Sequence, residues 1–116
     1  MLPKQYRLKK RSAFKATYKV KNSSHSGGVT LFAGILKKED YPTKVGFVVS
    51  KKVHKRAVRR NRLKRLMRES YRLLLKENSL GSSQKYMSLI FVGTEKALNK
   101  SFDEIRISIK KLIERI

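Results

Sequence analysis

Positive charge is concentrated in one stretch of this chain, KKVHKRAVRRNRLKRLMR at residues 51–68. Ten of these eighteen residues are Lys or Arg, and none is acidic. Apolar residues in the second half of the stretch recur at helical spacing, which predicts an amphipathic helix from about residue 57 to residue 78. Like charges one turn apart on a helix cost about 0.2 to 0.5 kcal/mol per pair, so the folded chain carries a standing repulsion here. This basic segment therefore predicts a folded surface that binds a polyanion.

The rest of the composition narrows the class of protein. Thirty Lys and Arg against eight Asp and Glu give a formal charge of +22, and such a field attracts nucleic acid or an anionic membrane. The 116 residues have room for one domain, 1–116. Cysteine is absent, which excludes disulfides and thiolate metal sites. No apolar run has the length of a signal peptide or a membrane span, so we expect a cytoplasmic protein with no membrane partner.

Periodicity predicts the order helix, weak strand, strand, strand, helix, strand, helix. The apolar runs VTLFAGIL (29–36) and VGFVVS (45–50) predict a hairpin, and KYMSLIFVG (85–93) predicts a further strand after the basic helix. Ser12 is a candidate N-cap for a helix to residue 20, and Ser101 with Glu104 has the form of a capping box. The polar segment at 21–28 is either a turn or a short edge strand. This order predicts an α+β fold, a two-layer α/β sandwich with a mixed sheet.

The basic segment supplies the candidate RNA-binding residues. Phosphate contacts dominate the affinity of nucleic-acid binding and suit Lys and Arg in such numbers. Asn61 differs from its neighbours, because an amide can bind phosphate, a 2′-hydroxyl or a base edge; the alternative is a local backbone partner at the helix start. The candidates are Lys51, Lys52, Lys55, Arg56, Arg59, Arg60, Asn61, Arg62, Lys64, Arg65 and Arg68.

Two classes of nucleic-acid-binding protein are compatible with this charge. A ribosomal or other structural RNA-binding protein would explain the charge. A DNA-binding regulator would place the basic helix in the major groove, but a strand leads directly into this helix where such regulators have a closely coupled helix.

The run KRAVRRNRLKRLMRES after VGFVVSKKV resembles the signature of the bacterial ribonuclease P protein subunit, with its Arg-Asn-Arg core in a basic helix. YRLKKRSAFKATY, further upstream, is similar to the N-terminal pattern of the same family. The resemblance implies an αβββαβα order with a left-handed βαβ crossover, similar to the second domain of a small-subunit ribosomal protein. It implies ribonuclease P RNA and precursor tRNA as partners, with no DNA.

The resemblance also implies a second site, a cleft that binds the single-stranded 5′ leader of precursor tRNA. Its residues here are Phe14, Tyr18, Thr30, Phe32, Lys51 and Arg68. Bases stacked on aromatic rings give binding that tolerates many sequences. The alternative for the three rings is a place in the core. Because side chains alternate along a strand, Thr30, Phe32 and Gly34 would share the leader face, and Leu31, Ala33 and Ile35 would face the covering helices.

Catalytic residues are not evident in the sequence. The eight acids are scattered and form no pattern that would hold two metal ions, and His25 and His54 lack acidic neighbours. We expect no cofactor in the protein. The resemblance implies a non-catalytic accessory subunit of an RNA-based endoribonuclease that removes the leader, with magnesium ions at the active site of the RNA.

Overall fold

The computed structural model describes residues 2–116, which form a four-stranded sheet and three α-helices. The strands are β1 (Asn22–Ser26), β2 (Val29–Ala33), β3 (Lys44–Val48) and β4 (Ser88–Gly93). The helices are α1 (Arg11–Lys19), α2 (Ala57–Lys76) and α3 (Phe102–Arg115). The predicted α+β class and the αβββαβα order are confirmed.

The order of strands in the sheet differs from the prediction. It is β1-β2-β4-β3, so the predicted hairpin between β2 and β3 is wrong. β4 lies between them, antiparallel to β2 and parallel to β3. Three successive β4 residues, Leu89, Ile90 and Phe91, are fully buried, as suits a central strand covered on both faces. The segment between β2 and β3 is long enough to pass over the position that β4 fills.

The connection from β3 through α2 to β4 joins parallel neighbours, which makes the sheet mixed as predicted. The handedness of this crossover stays a prediction of the family resemblance. β1, predicted as a turn or an edge strand, is an edge strand that pairs with β2. Gly27 and Gly28 connect the two strands with φ of +57° and +87°, a backbone region that glycine enters without steric cost.

Capping residues explain the start of α3 and the end of α2, but not the starts of α1 and α2. The capping box at α3 is confirmed, since Glu104 N donates to Ser101 Oγ (3.3 Å) and Ser101 N donates to Glu104 Oε1 (3.2 Å). Asn78, two residues beyond α2, takes a left-handed φ of 56°, as asparagine often does after a helix. The predicted Ser12 cap is wrong, because α1 begins at Arg11 after an extended Lys10. None of the helices in residues 2–116 has the length and apolar character needed to cross a bilayer.

The main core lies between one face of the sheet and the helices α2 and α3. Leu31 and Ala33 of β2 face it as predicted, together with Leu63 of α2 and Ile109 of α3. Ile35 was predicted to face the same helices, and this is wrong, because it lies beyond the end of β2 and is 53% exposed. The opposite face of the sheet carries only α1. That face is therefore open enough to form a binding site.

Three aromatic rings form the centre of this core. Phe47 stacks on Phe91 with ring centroids 5.7 Å apart. The Tyr71 ring lies edge-on to Phe47 and tilted relative to Phe91. The Tyr71 hydroxyl accepts a hydrogen bond from Nε2 of Gln84 at 3.1 Å. Burial raises the pKa of Tyr71 to about 12, because the phenolate cannot be solvated there.

Stability should therefore fall at high pH in a way that depends on Tyr71. The unfolded tyrosine ionises at a pKa of about 10 and the folded one at about 12, so the folded state holds its proton longer. The contribution of Tyr71 to the free energy of unfolding is therefore fully present below about pH 10 and is lost as the pH rises toward 12. Between about pH 9 and pH 11 the loss is about 1 kcal/mol. Urea unfolding of the wild type and of Tyr71→Phe at both pH values measures this loss. A variant that loses stability as steeply as the wild type would contradict the assignment.

Candidate nucleic-acid interface

The predicted basic residues lie in the turn after β3, in the segment that leads into α2, and on the first three turns of that helix. α2 begins without a side-chain cap and without an acid in its first turn. The amino end of a helix carries partial positive charge, so cations at this end are unfavourable for the helix. A bound anion would relieve this repulsion.

Arg60 organises the segment that precedes α2. Its Nη1 donates to the carbonyl oxygens of His54 (3.0 Å) and Lys55 (3.1 Å). The Arg56 amide donates to Nδ1 of His54 at 3.1 Å, so His54 accepts within the same turn. The guanidinium of Arg60 therefore stabilises the loop that presents Lys55 and Arg56.

Arg62 and Arg59 connect α2 to the segment before α3. Arg62 Nη1 donates to Leu98 O at 3.1 Å, and its Nη2 donates to Lys100 O at 3.2 Å. Arg59 donates to the side-chain oxygen of Asn99. Three of the candidate cations, including both arginines of the Arg-Asn-Arg core, thus bind acceptors within the protein. Sequence analysis did not predict these acceptors, which lie 36 to 40 residues downstream of Arg59 and Arg62 and five to six residues upstream of Arg60.

The side chains of the other candidates make no hydrogen bond or ion pair within residues 2–116. Asn61, Lys64, Arg65 and Arg68 are spaced i, i+3, i+4 and i+7 and lie on one side of α2. Asn61 is exposed, and the alternative of a local backbone partner is wrong, since its amide is unused. The group comprises Lys51, Lys52, Lys55, Arg56, Asn61, Lys64, Arg65 and Arg68, and is called the basic face below.

Aromatic side chains meet on the sheet face that carries α1. Tyr18 and Phe32 are in edge-to-face contact, with ring centroids 4.9 Å apart at 80°. Partial burial raises the pKa of Tyr18. Phe32 pairs with Ile90, and Ile90 with Gly46, so these three residues form one row across β2, β4 and β3. α1 crosses the sheet over this row.

Phe14 reaches the same row through a glycine that sequence analysis missed. A β-carbon at position 46 would lie 2.5 Å from Cζ of Phe14, so only glycine allows the ring to lie on β3 at this point. Phe14, Tyr18 and Phe32 are half-buried, which fits neither a full core role nor free exposure. Each ring is therefore partly accessible to solvent.

The next row of the sheet forms a floor beside α1. It consists of Thr30, Val92 and Val48, followed by His25 on the edge strand. Thr30 Oγ1 and His25 Nδ1 are 2.8 Å apart and share a hydrogen bond. Phe14, Tyr18 and Phe32 therefore lie on one face of the sheet, with the buried Thr30 in the floor beside them; this surface is called the aromatic cleft below.

The two cations predicted for this cleft are placed differently. Lys51 follows the end of β3, three residues after Val48 of the cleft floor. Arg68 lies on α2, which packs against the opposite face of the sheet, and no hydrogen bond or ring contact joins it to the cleft within residues 2–116. Contact between Arg68 and the leader stays a prediction.

Carboxylates are not gathered anywhere in residues 2–116, and no group of three or more acids or histidines there could hold a metal ion. Glu69 pairs with Arg72 at 2.5 Å, and this hydrogen bond lowers the pKa of Glu69. The basic face and the aromatic cleft present cations, an amide and aromatic rings, which are groups that contact phosphate, ribose and bases.

The sequence model of the family described as ribonuclease P matches residues 2–116. The chain belongs to the ribonuclease P protein family. It is 34% identical to the ribonuclease P protein component of a Synechococcus strain, over 99% of this chain and 84% of that protein. It is 36% identical to that of Clostridium kluyveri, over 95% of this chain and 93% of that protein.

Solved structures of this family have the same fold. The Staphylococcus aureus RNase P protein aligns with a TM-score of 0.78 at 26% identity, covering 97% of this chain and 95% of that one. The Thermotoga maritima RNase P protein aligns with a TM-score of 0.77 over 95% of this chain and 96% of that one. The chain is thus a protein component of ribonuclease P, an endoribonuclease of tRNA processing.

Proposed function

We propose that this chain binds the catalytic RNA of ribonuclease P through the basic face and the 5′ leader of precursor tRNA through the aromatic cleft. In this role it promotes removal of the leader to give the mature 5′ end of the tRNA. The leader set is Phe14, Tyr18, Thr30 and Phe32, with Lys51 and Arg68 supplying charge. The catalytic-RNA set is the full predicted group of eleven, within which Arg59, Arg60 and Arg62 also shape the surface.

One observation carries the proposal: half-buried rings and a basic rim lie at the same end of the sheet. β3 ends at Val48 beside the cleft floor, and the chain runs directly from there into Lys51 and the loop held by Arg60. Rings accept bases of any sequence, and the adjoining cations follow a phosphate backbone. A purely structural RNA-binding protein has no need of accessible rings.

The protein supplies no catalytic group in this proposal. Its acidic residues are dispersed, and two of them already have partners: Glu69 pairs with Arg72, and Glu104 accepts from the Ser101 amide. Magnesium ions would belong to the active site of the RNA. The protein would reduce the repulsion between RNA backbones by charge and hold the leader by stacking.

Reconstitution tests the proposed function. At low magnesium, the protein should raise the rate of precursor tRNA cleavage by a bacterial ribonuclease P RNA by about tenfold or more, as stacking of 1 to 3 kcal/mol per base predicts. The protein without RNA should not cleave. Cleavage by the protein alone, or an unchanged rate with the RNA, would overturn the proposal.

A further inference from the structure

A second cavity lies on the same face of the sheet as the aromatic cleft, on the other flank of α1. Its volume is about 590 Å³, and its walls include Leu8, Ala13, Ala16, Ile35, Tyr41 and Met87. We call it the Tyr41 cavity. It falls within the range of small-ligand sites, about 300 to 1,000 Å³.

α1 separates this cavity from the aromatic cleft. Thr17 on the underside of α1 is buried, and its Oγ1 lies 2.6 Å from Oγ of Ser88 on β4, which closes the space beneath the helix. Phe14 and Tyr18 project on the cleft side, and Ala13 and Ala16 on the cavity side. A helix is about 10 Å wide, so one group cannot fill both sites.

The mouth of the Tyr41 cavity gathers exposed apolar side chains. Ile35 is 53% exposed, Tyr41 59% and Met87 45%, and all three line the cavity. These are three of the seven large apolar side chains that are exposed in residues 2–116. A contiguous apolar patch on a chain of charge +22 is unlike its surroundings and marks a contact surface.

Backbone groups around the cavity are already paired, so a peptide cannot add there as a strand. Met87 N donates to Ile35 O at 2.8 Å, and Lys44 N donates to Met87 O at 3.1 Å. Gly34 N donates to Ser88 O at 2.8 Å. Recognition of a peptide by strand addition needs such groups to be unpaired. The cavity therefore suits an inserted side group.

The shape and chemistry of the walls favour a flat ring with polar edges. Ala13 and Ala16 are small and leave a smooth wall. Tyr41 presents an exposed ring, and its backbone amide donates to Glu39 O at 2.9 Å. Gln5 and Ser88 add an amide and a hydroxyl to a lining that is otherwise largely apolar. These groups could bond the edge of a heteroaromatic ring that stacks on apolar neighbours.

Charge around the cavity favours an occupant attached to a polyanion. Lys44 lines it, and three exposed cations, Lys4, Lys9 and Lys15, are chain neighbours of residues that line the cavity. Glu39 and Asp40 are the acids nearest to Tyr41 in sequence, and both are exposed. A second copy of the chain would bring like charge to this rim.

We propose that the Tyr41 cavity receives an unstacked nucleobase of the ribonuclease P RNA. The inference rests on the proposed function, in which the chain assembles with that RNA. The leader is assigned to the other flank of α1, so the base in this cavity comes from the catalytic RNA. The insertion would fix the orientation of the protein on the RNA from a side that the basic face does not reach.

Cross-linking in the assembled enzyme tests the inference. Tyr41 is replaced by the photoreactive p-benzoylphenylalanine, and the protein is reconstituted with a bacterial ribonuclease P RNA and precursor tRNA. Irradiation should join position 41 to an unpaired nucleotide of the ribonuclease P RNA, mapped by primer extension. The same probe at Ile107, which is 51% exposed on α3, is the control and should give little product.

Each other outcome is decisive. A cross-link only to the leader, or only to a second protein copy, would overturn the inference, as would normal assembly with no cross-link from position 41. Failure of the unmodified protein to bind the RNA would overturn the proposed function, and this inference with it.

A matched pair of variants gives a second measurement. Ile35→Glu and Ile107→Glu make the same change of charge at residues of nearly equal exposure. Ile35→Glu should weaken RNA binding by about tenfold, the effect of losing one stacked base, and Ile107→Glu by less than about twofold. Equal weakening by both variants would show a general charge effect and contradict the inference.

Discussion

Replacing Phe14 and Phe32 together with alanine should abolish the preference of the reconstituted enzyme for precursor over mature tRNA. The two rings line the aromatic cleft and are half-buried, so each ring is partly accessible to a base that stacks on it. Loss of two stacked bases costs about 2 kcal/mol or more, which is about thirtyfold in relative affinity. Binding of the two tRNAs to the assembled enzyme measures the ratio.

Phe47→Ala is the matched control for this double variant. Phe47 is also half-buried, but it lies on the opposite face of the sheet and stacks on Phe91. Its removal should lower the free energy of unfolding and leave the preference for precursor unchanged. If the Phe14 and Phe32 variant weakened binding of both tRNAs equally, the rings would be core residues and the proposed leader site would be wrong.

Gly46 offers an independent route to the same site. A β-carbon there would come within 2.5 Å of the Phe14 ring, so Gly46→Ala must displace the ring without removing it. We expect the preference to fall in the same direction as for Phe14→Ala. In a chain that already carries Phe14→Ala, Gly46→Ala should reduce the preference little further, because the effects of substitutions at residues in contact are not additive.

The elements of this fold could be predicted from sequence because each one has a local signal. The capping box at Ser101 and the 3.6-residue period of α2 depend on neighbours in the chain. The pairing of β2 depends on which strand takes the centre of the sheet, and β4 comes 55 residues later in the chain than the end of β2. Proximity in sequence therefore favoured the wrong partner, β3.

The candidate site could be predicted by residue type more than by geometry. The aromatic cleft assembles Phe14, Tyr18, Phe32 and Thr30 as predicted, but Gly46 carries no chemical group that a sequence search would select. The Tyr41 cavity was missed for a similar reason. Its walls come from four separate segments of the chain, and each segment is unremarkable alone.

The roles of the arginines could not be read from charge. A guanidinium has five donors and can bind phosphate or backbone carbonyls, and the sequence does not say where carbonyls will lie. In the fold, Leu98 and Lys100 present their carbonyl oxygens to Arg62. The cations of the basic segment therefore fall into two groups. Some bind acceptors within the protein and hold its surface in place, and the others are free to bind a ligand.

Arg62→Ala should test this division through stability. The substitution leaves the carbonyls of Leu98 and Lys100 without the Arg62 donor, and within residues 2–116 only Arg59 then connects α2 to the segment before α3 by a side-chain hydrogen bond. Hydrogen bonds to a charged group contribute about 1.5 to 3 kcal/mol each, so for this half-exposed pair we expect a loss of about 2 to 4 kcal/mol, measured by urea unfolding. Arg62→Lys should recover only part of it, because one ammonium lacks the planar fork that spans two acceptors.

Arg65→Ala is the matched comparison, one turn from Arg62 at an exposed position with no partner in residues 2–116. It should leave the urea midpoint unchanged and reduce the dependence of log affinity for ribonuclease P RNA on log salt by about one, as expected for one lost phosphate contact. The reverse pattern, in which Arg62→Ala lowers the salt dependence without loss of stability, would mean that Arg62 binds phosphate and that its carbonyl contacts are incidental. The two measurements therefore separate the cations that build this surface from those that bind RNA.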